Sequence, residues 1–412
     1  MISCQKNKYV RRRVMKKVFA FVTLAAISLS LLCGCDNGEA ERAALAARRE
    51  AYALAVSQLE STQVSCDGTN VNEALLQAIE NAEFTAPKNY IFMIGDGMGF
   101  NHVAATQEEY ADELYEGKMA MNHLPVQGES ITDSLDGLTD SAAGGTALST
   151  GHKTSNGTVA MNKHATIPYM TTLERAAQLG KSTGIVATKS VTDATPASFT
   201  AHVQTRTMND EIASQQIAKL MNGSLDLVLG GGSMYYEGSF NEYALKEAIG
   251  EGLTYTKSWE DAQKASLPLA GLVAADAFGA DYPVSVAQMT KLALDLLSED
   301  EDGFFLMIEG SQIDSASHSN NLDYMKQEAY SFDIAVSIAM RYVALHPDTV
   351  LIITADHETG GLVDTPFHFT SGSHSPVNVP VYAVGYRTQE LLGEHENTDL
   401  ANLVFSLMND NQ

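Results

Sequence analysis

The sequence predicts an α/β protein built on a mainly parallel central sheet with helices on both faces. Three observations carry that prediction. Apolar runs of strand length recur along the chain, and amphipathic stretches of helical length separate them. Aspartates, glutamates and histidines stand just after those runs instead of forming charged surface stretches. Strands covered on both faces read as continuous apolar runs, and alternation with helices is the pattern of a parallel sheet.

The elements follow in order. Residues 1–34 read as a targeting segment. Seven lysines and arginines, Lys6 to Lys17, and no acid precede or open an apolar run from Val18 to Leu32. That run suits a signal peptide better than a stable membrane span. Met15-Lys16-Lys17 also opens a compact signal by itself. Leu32-Cys33-Gly34-Cys35 resembles a bacterial lipoprotein signal, which implies cleavage before Cys35 and lipid on that residue. An ordinary signal with a nearby cut is the alternative. Either way the protein is expected to be exported, periplasmic or at the cell surface. After cleavage before Cys35, a lipidated Cys35 leaves Cys66 without an intramolecular partner, so the core, and not disulfides, must hold the fold.

The 412 residues carry a formal net charge of −25, and the basic leader makes the remainder more acidic still. Such a body repels polyanions, which excludes nucleic acid as a stable partner. Clustered carboxylates instead suit divalent cations. Residues 35–87 precede the main pattern as an N-terminal helical or tether segment. Glu39 to Leu59 is Ala-rich and reads as a helix, either a stalk or a helix packed on the domain.

Residues 88–412 read as one catalytic domain. Its expected strands are Tyr90–Ile94, Gly184–Ala187, Leu225–Leu229, Phe304–Ile308, Val350–Thr354 and Val379–Val384. Helices are expected around Leu173–Leu179, Glu211–Met221, Val286–Leu297 and Tyr324–Leu345. Residues 232–281 look like an irregular insertion. In parallel sheets, ligands bind beyond the carboxyl ends of the strands. Asp96 lies there, in Gly95-Asp96-Gly97-Met98-Gly99, which lacks the G-x-G-x-x-G spacing of a dinucleotide site. Glu309 follows another run. Asp314 and His318 are an i, i+4 pair that a helix places on one face. Asp356-His357 follow Val350–Thr354, and His374 lies in a Gly/Ser-rich loop. Several such groups at successive strand ends point to a metal cluster, with mixed His and Asp ligands suiting zinc and an oxygen-only set suiting magnesium. Thr139-Asp140-Ser141-Ala142-Ala143-Gly144-Gly145 reads as an N-cap followed by a small-residue helix start. Ser141 would then sit where free N–H groups and the dipole favour an anion.

Together these motifs resemble the alkaline phosphatases, from about Asn89 to His374. The ordered set also includes Asp193-Ala194-Thr195-Pro196-Ala197 with His202 and Arg206, and Glu309-Gly310-Ser311-Gln312-Ile313-Asp314 with His318. The resemblance implies a phosphomonoesterase with two zinc ions and one magnesium ion. It makes Ser141 the nucleophile that becomes phosphorylated and Arg206 the clamp on phosphate oxygens. It assigns Asp314, His318 and His374 to one zinc, and Asp96, Asp356 and His357 to the second. Asp96, Thr195 and Glu309 would form the magnesium site, with Asp193 holding that ion's waters. His152, His164, His202 and His368 are expected to be structural.

Two departures from the family pattern stand out. Ser315 follows Asp314, where relatives often carry Lys, His or Trp reaching toward phosphate, so weaker retention of phosphate is expected. Only a short loop joins His357 to His374, where larger relatives insert a crown-like region, so a homodimer stays open. No C/S-x-P-x-R motif of the sulfatases is present. The rivals are a diesterase of the same superfamily and an inactive metal-binding lipoprotein.

Overall fold

The computed structural model describes residues 37–364 and 366–410. The proposed signal and Cys35 lie outside the described residues. The chain divides into two compact units, one reaching residue 62 and including 73–82, the other comprising 63–72 and everything from 83 onward. In the smaller unit the Ala-rich stretch is a helix, α1 (Asn37–Glu60), packed with α2 (Glu73–Asn81). Arg48 of α1 donates to the carbonyls of Glu80, Asn81 and Ala82 at 3.4, 3.1 and 2.6 Å. A helix C-terminus leaves carbonyls unpaired and favours a cation, so this contact closes α2. No helix among the described residues is long and apolar enough to cross a membrane.

The larger unit is organised on a ten-stranded sheet. In chain order its strands are β1 (Asn89–Gly95), β2 (Val126–Ile131), β3 (Ser182–Ser190), β4 (Leu227–Gly231), β5 (Thr254–Thr256), β6 (Leu269–Leu272), β7 (Phe304–Gly310), β8 (Thr349–Thr354), β9 (Val379–Val384) and β10 (Gly393–Glu396). The spatial order is β10-β2-β9-β8-β1-β7-β3-β4-β6-β5. Every pairing is parallel except those of β9, which runs antiparallel to β8 and β2. This is the mainly parallel α/β class the apolar runs predict. Each predicted run is a strand, and each predicted amphipathic stretch lies in or overlaps a helix. Every residue of β1, β7, β8 and β9 is buried, which is why these strands read as unbroken apolar runs.

Residues 232–281 are more regular than their composition suggests. They contribute β5 and β6, which extend one edge of the sheet. Strands of three and four residues are too short for any periodicity to register. Cys66 is a free thiol.

The parallel register positions the site. Ile94 of β1 aligns with Glu309 of β7 on one side and with Thr354 of β8 on the other. Ala187 of β3 also aligns with Glu309. Parallel strands in register end together, so Asp96, Glu309 and Asp356 arrive at one edge of the sheet.

Behind that edge, helix α3 (Phe100–Glu109) carries His102, which is completely buried. Its Nδ1 accepts the Gly99 N–H at 3.2 Å, and its Nε2 meets Ser317 Oγ at 3.1 Å. Burial depresses the imidazole from 6.5 to about 4, although a hydrogen bond with the Thr359 backbone and the charge of Asp314 oppose it. A folded value below the unfolded one stabilises the fold fully above pH 6.5, and that stability is lost as pH falls toward 4. The loss across this window is roughly 3 kcal/mol, since stability falls by about 1.4 kcal/mol for each pH unit crossed. Urea unfolding at pH 7 and pH 4.5 should therefore show a smaller acid penalty for His102→Gln than for the wild type. Identical pH slopes for the two proteins would exclude His102 as an acid-sensitive element.

Candidate active site

Helix α4 (Ser141–Thr150) begins as its sequence requires. Asp140 has extended backbone angles and its Oδ1 accepts the Ala143 N–H at 3.0 Å, so it is the N-cap. The same carboxylate accepts the Gly157 N–H through both oxygens, at 3.1 and 3.0 Å. Ser141 is the first helical residue, is nearly buried, and donates its hydroxyl to His357 Nε2 at 3.2 Å. The small residues behind it have a definite purpose. A Cβ on Gly144 would stand 2.9 Å from the Asp356 carbonyl oxygen and 3.1 Å from its Cβ. Only glycine lets the serine helix approach the end of β8 this closely.

Two groups of potential cation ligands converge here, Asp96, Asp356 and His357 in one, and Asp314, His357 and His374 in the other. In each, the ligand atoms lie within 4.8 Å of one another. Two short helices frame them, α5 (Ala194–Thr200) and α6 (Gln312–His318), and Asp314 stands on α6. Its Oδ1 is 3.3 Å from His318 Nε2 and 3.8 Å from His374 Nε2. The His357 and His374 rings stack with centroids 3.5 Å apart, and His318 and His374 are 5.1 Å apart.

Hydrogen bonds fix the imidazole tautomers. His318 Nδ1 contacts the Gly372 carbonyl and His374 Nδ1 the Thr139 carbonyl, both at 2.9 Å. A carbonyl only accepts, so in both rings Nδ1 carries the proton and Nε2 presents a lone pair. Thr359 donates its one hydroxyl proton to Asp314 Oδ1 at 2.6 Å, so toward His357 Nδ1, 3.2 Å away, it can only accept. His357 Nε2 is therefore also a lone pair, and it faces Ser141, Asp356 Oδ2 at 3.3 Å and Asp96 Oδ1 at 3.7 Å. In a Ser-His-Asp relay the carboxylate holds the nitrogen opposite the serine. Here both carboxylates crowd the same nitrogen as the serine, an arrangement that calls for a shared cation. Asp96 Oδ1 and Asp356 Oδ2 are buried and accept no hydrogen bond, as ligand atoms aimed at a cation would be. The mixed His and Asp donors suit a cation such as zinc; Asp96, Asp356 and His357 are one expected set, whereas the other group joins Asp314 and His374 to His357 where His318 is expected.

The electrostatics agree. Burial pushes the Asp96 carboxyl well above its usual range, and Asp314 and Asp356 push it further. Burial takes Glu309 to about 8 against the Ser311 hydroxyl, which donates to it at 2.6 Å. Burial also lowers His357 and keeps it neutral, as a ligand must be. Asp314 behaves oppositely. Burial would raise it, yet His357, Lys189, His318 and the Thr359 hydroxyl hold it below the usual carboxylate range.

Arg206 is pinned by two carboxylates. Its Nη1 donates to Asp140 Oδ2 at 3.3 Å and its Nη2 to Asp193 Oδ1 at 3.0 Å. Asp193, the N-cap of α5, meets Lys189 Nζ with its other oxygen at 3.4 Å. Burial would raise Asp193, but Lys189 and Arg206 bring it below its ordinary value. Thr195 is buried in the first turn of α5.

The structure thus gathers Ser141, Asp96, Asp356, His357, Asp314, His318 and His374 tightly, with Arg206 and Asp193 beside them. Glu309 faces Asp96 and Asp193 electrostatically. His318 is the most exposed of the set, with 41% of its side chain accessible, and although its Nε2 lies 3.3 Å from Asp314 Oδ1 it belongs to neither group of converging ligand atoms. His202 is engaged by the Ala160 carbonyl and Glu174, His152 stacks on Tyr169, and His368 bonds the Pro366 carbonyl. Sequence reasoning passed over Lys189, Thr359 and the second role of Asp140. Lys189 alone had a signal: a lysine in an otherwise apolar strand, four residues before Asp193.

The fold and site define a class of parallel α/β proteins in which strand-end carboxylates and histidines surround a serine that opens a helix. The chain belongs to the alkaline phosphatase family, whose sequence model matches residues 87–269 and 276–367. Alkaline phosphatase 4 of Bacillus subtilis is 35% identical over 304 residues, covering 71% of this chain and 64% of that protein. The match therefore spans just under two thirds of that relative's length. The solved alkaline phosphatase of the Antarctic bacterium TAB5 superposes with a TM-score of 0.72 at 31% identity, covering 80% of this chain and 100% of that one. A His135Glu mutant of the TAB5 enzyme, with magnesium bound in its M3 site, gives 0.70 at 30% identity, covering 79% and 99%.

Gly144 offers a test of this packing with opposing expectations. Helix propensity favours alanine over glycine by roughly 1 kcal/mol. Overpacking against a backbone carbonyl costs about 1–3 kcal/mol. Contact should win, so Gly144→Ala is expected to lower both the urea midpoint and the divalent metal bound per chain. A stabilised variant with full metal content would show that α4 and the Asp356 backbone part freely.

Proposed function

We propose that the protein hydrolyses phosphate monoesters through a phosphoserine at Ser141. The observation that carries this reading is the Ser141 hydroxyl, capped on a helix N-terminus and 3.2 Å from the nitrogen on which Asp96 and Asp356 converge. Asp314, His318 and His374 would hold one zinc ion, Asp96, Asp356 and His357 a second, and Asp96, Thr195 and Glu309 a magnesium ion with Asp193 behind it. When bound, these cations would supply Lewis acidity, lowering the pKa of a hydroxyl or water and neutralising charge on oxygen. The magnesium in the M3 site of the TAB5 mutant supports a third cation.

The chain's own residues account for the rest. The first turn of α4 offers free N–H groups and a positive dipole end to the phosphoryl oxygens. Arg206, preset by Asp140 and Asp193, presents its planar fork to two of those oxygens. Ser141 Oγ gives up its proton to water and attacks phosphorus as the ester P–O bond breaks, and the departing alkoxide takes a proton from water. Water then attacks the phosphoserine, the P–Oγ bond breaks, and phosphate leaves as the serine regains its proton. An arginine placed for a dianion favours monoesters over diesters. Export with a lipid anchor on Cys35 belongs to the same proposal, supported by the basic leader and the Leu32-Cys33-Gly34-Cys35 sequence.

Kinetics, labelling and membrane fractionation test this. The zinc- and magnesium-loaded wild type should hydrolyse p-nitrophenyl phosphate far faster than the bis-ester, and chelation should abolish turnover. Ser141→Ala should lose most but not all of it, because Arg206 and the bound metals still position the substrate. Acid-quenched label on any residue other than Ser141 would overturn the nucleophile. For the anchor, Cys35→Ala should release the protein from membranes or block its maturation. A wild type recovered entirely soluble and cut elsewhere would leave plain secretion.

A further inference from the structure

Among the described residues, Lys189 is the cation in this site that no strand-end motif accounts for. It stands near the end of β3, where pairing with β4 loses register between Val186 and Ser190. Irregularities of this kind re-aim side chains beside active sites. The backbone around it is held firmly. Thr188 Oγ1 accepts the Ser311 N–H at 3.0 Å, and the Thr188 carbonyl accepts the Gln312 side chain at 3.1 Å and the Phe278 N–H at 3.0 Å. These bonds tie the end of β3 to the entry of α6, which carries Asp314.

Lys189 Nζ lies 3.4 Å from Asp193 Oδ2 and 3.8 Å from Asp314 Oδ2. Asp193 takes Arg206 on its other oxygen, so one carboxylate holds both cations side by side. An ammonium has three donors and no acceptor. The two carboxylates hold it at ion-pair distance, so its donors stay available to an anion. Ser315, next to Asp314, is too short to bring a charge to the same place.

Resting on the phosphatase reading, we propose that Lys189 is a phosphate-holding residue, delivering from β3 the charge that position 315 lacks. Asp193 acts as the positioning residue that sets Lys189 and Arg206 as a pair. The loose hold on phosphate expected from Ser315 alone is then reversed, because the donor arrives from strand β3 and not from helix α6.

The test compares metal-loaded wild type, Lys189→Ala, Lys189→Met, Lys189→Arg and the double variant Lys189→Ala/Ser315→Lys. Lys189→Met keeps the length of the chain and guards against a folding defect in Lys189→Ala. The readouts are the inhibition constant of inorganic phosphate, its direct binding by calorimetry, and metal content. Removing the charge should weaken phosphate about tenfold, the order of one charged hydrogen bond, with metal content unchanged. Lys189→Arg and the double variant should recover most of that loss. Unchanged phosphate binding in both uncharged variants would overturn the proposal. So would a loss that parallels loss of metal and that neither cationic variant repairs. A wild type that binds phosphate but turns over no monoester would instead refute the phosphatase reading, and the calorimetric comparison would still decide Lys189.

Discussion

Buried negative charge is the constraint on which the rest of this structure depends. Parallel strands in register deliver Asp96, Glu309 and Asp356 to one edge of the sheet, and α6 adds Asp314. Like charges close together in a poorly solvated place repel strongly. Burial raises the proton affinities of Asp96 and Glu309, and neighbouring carboxylates raise them further. The arrangement is tenable only if positive charge is built in among the carboxylates. A row of alternating charges does this, running from Asp140 through Arg206, Asp193 and Lys189 to Asp314. The row starts at the cap of the serine helix and ends at a candidate ligand, so one set of contacts fixes both.

The histidines answer the same constraint without adding charge. His318, His357 and His374 each tie Nδ1 to an oxygen outside the cluster and turn Nε2 inward. Such outer contacts set ring orientation and ligand strength. Thr359 serves two of the groups at once, donating to Asp314 and accepting from His357. Its neighbour Glu358 holds the loop that bears His374, accepting the N–H groups of Gly361 and Leu362 and the hydroxyl of Ser375. The short connection between His357 and His374 is therefore stitched in place without a large insertion.

Such a site draws on the stability of the sheet behind it. Burying carboxylates and bringing α4 against the backbone of Asp356 are both unfavourable by themselves. The fully buried and mostly apolar strands β1, β7 and β8 supply the compensating burial, at about 25 cal/mol for each Å² of apolar surface removed from water. The cost of function is thus offset by the strands whose ends carry it.

The sequence alone determined the parallel α/β class, because continuous apolar runs separated by amphipathic helices have few other solutions. It also determined the Asp140 cap, since capping is a local interaction between neighbours. Asp96, Asp193, Glu309 and Asp356 were legible as candidates because each stands in or just after the end of a strand. Only the tertiary structure decided what joins those ends. His357 stands 216 positions from Ser141 and shares itself between two groups of ligands, which no local pattern encodes. The three-residue β5 was lost to composition because so short an edge strand carries no period. Lys189 was overlooked for a related reason. A lysine in a strand tells nothing of its direction until the register slip and the partners on α6 place its charge between Asp193 and Asp314.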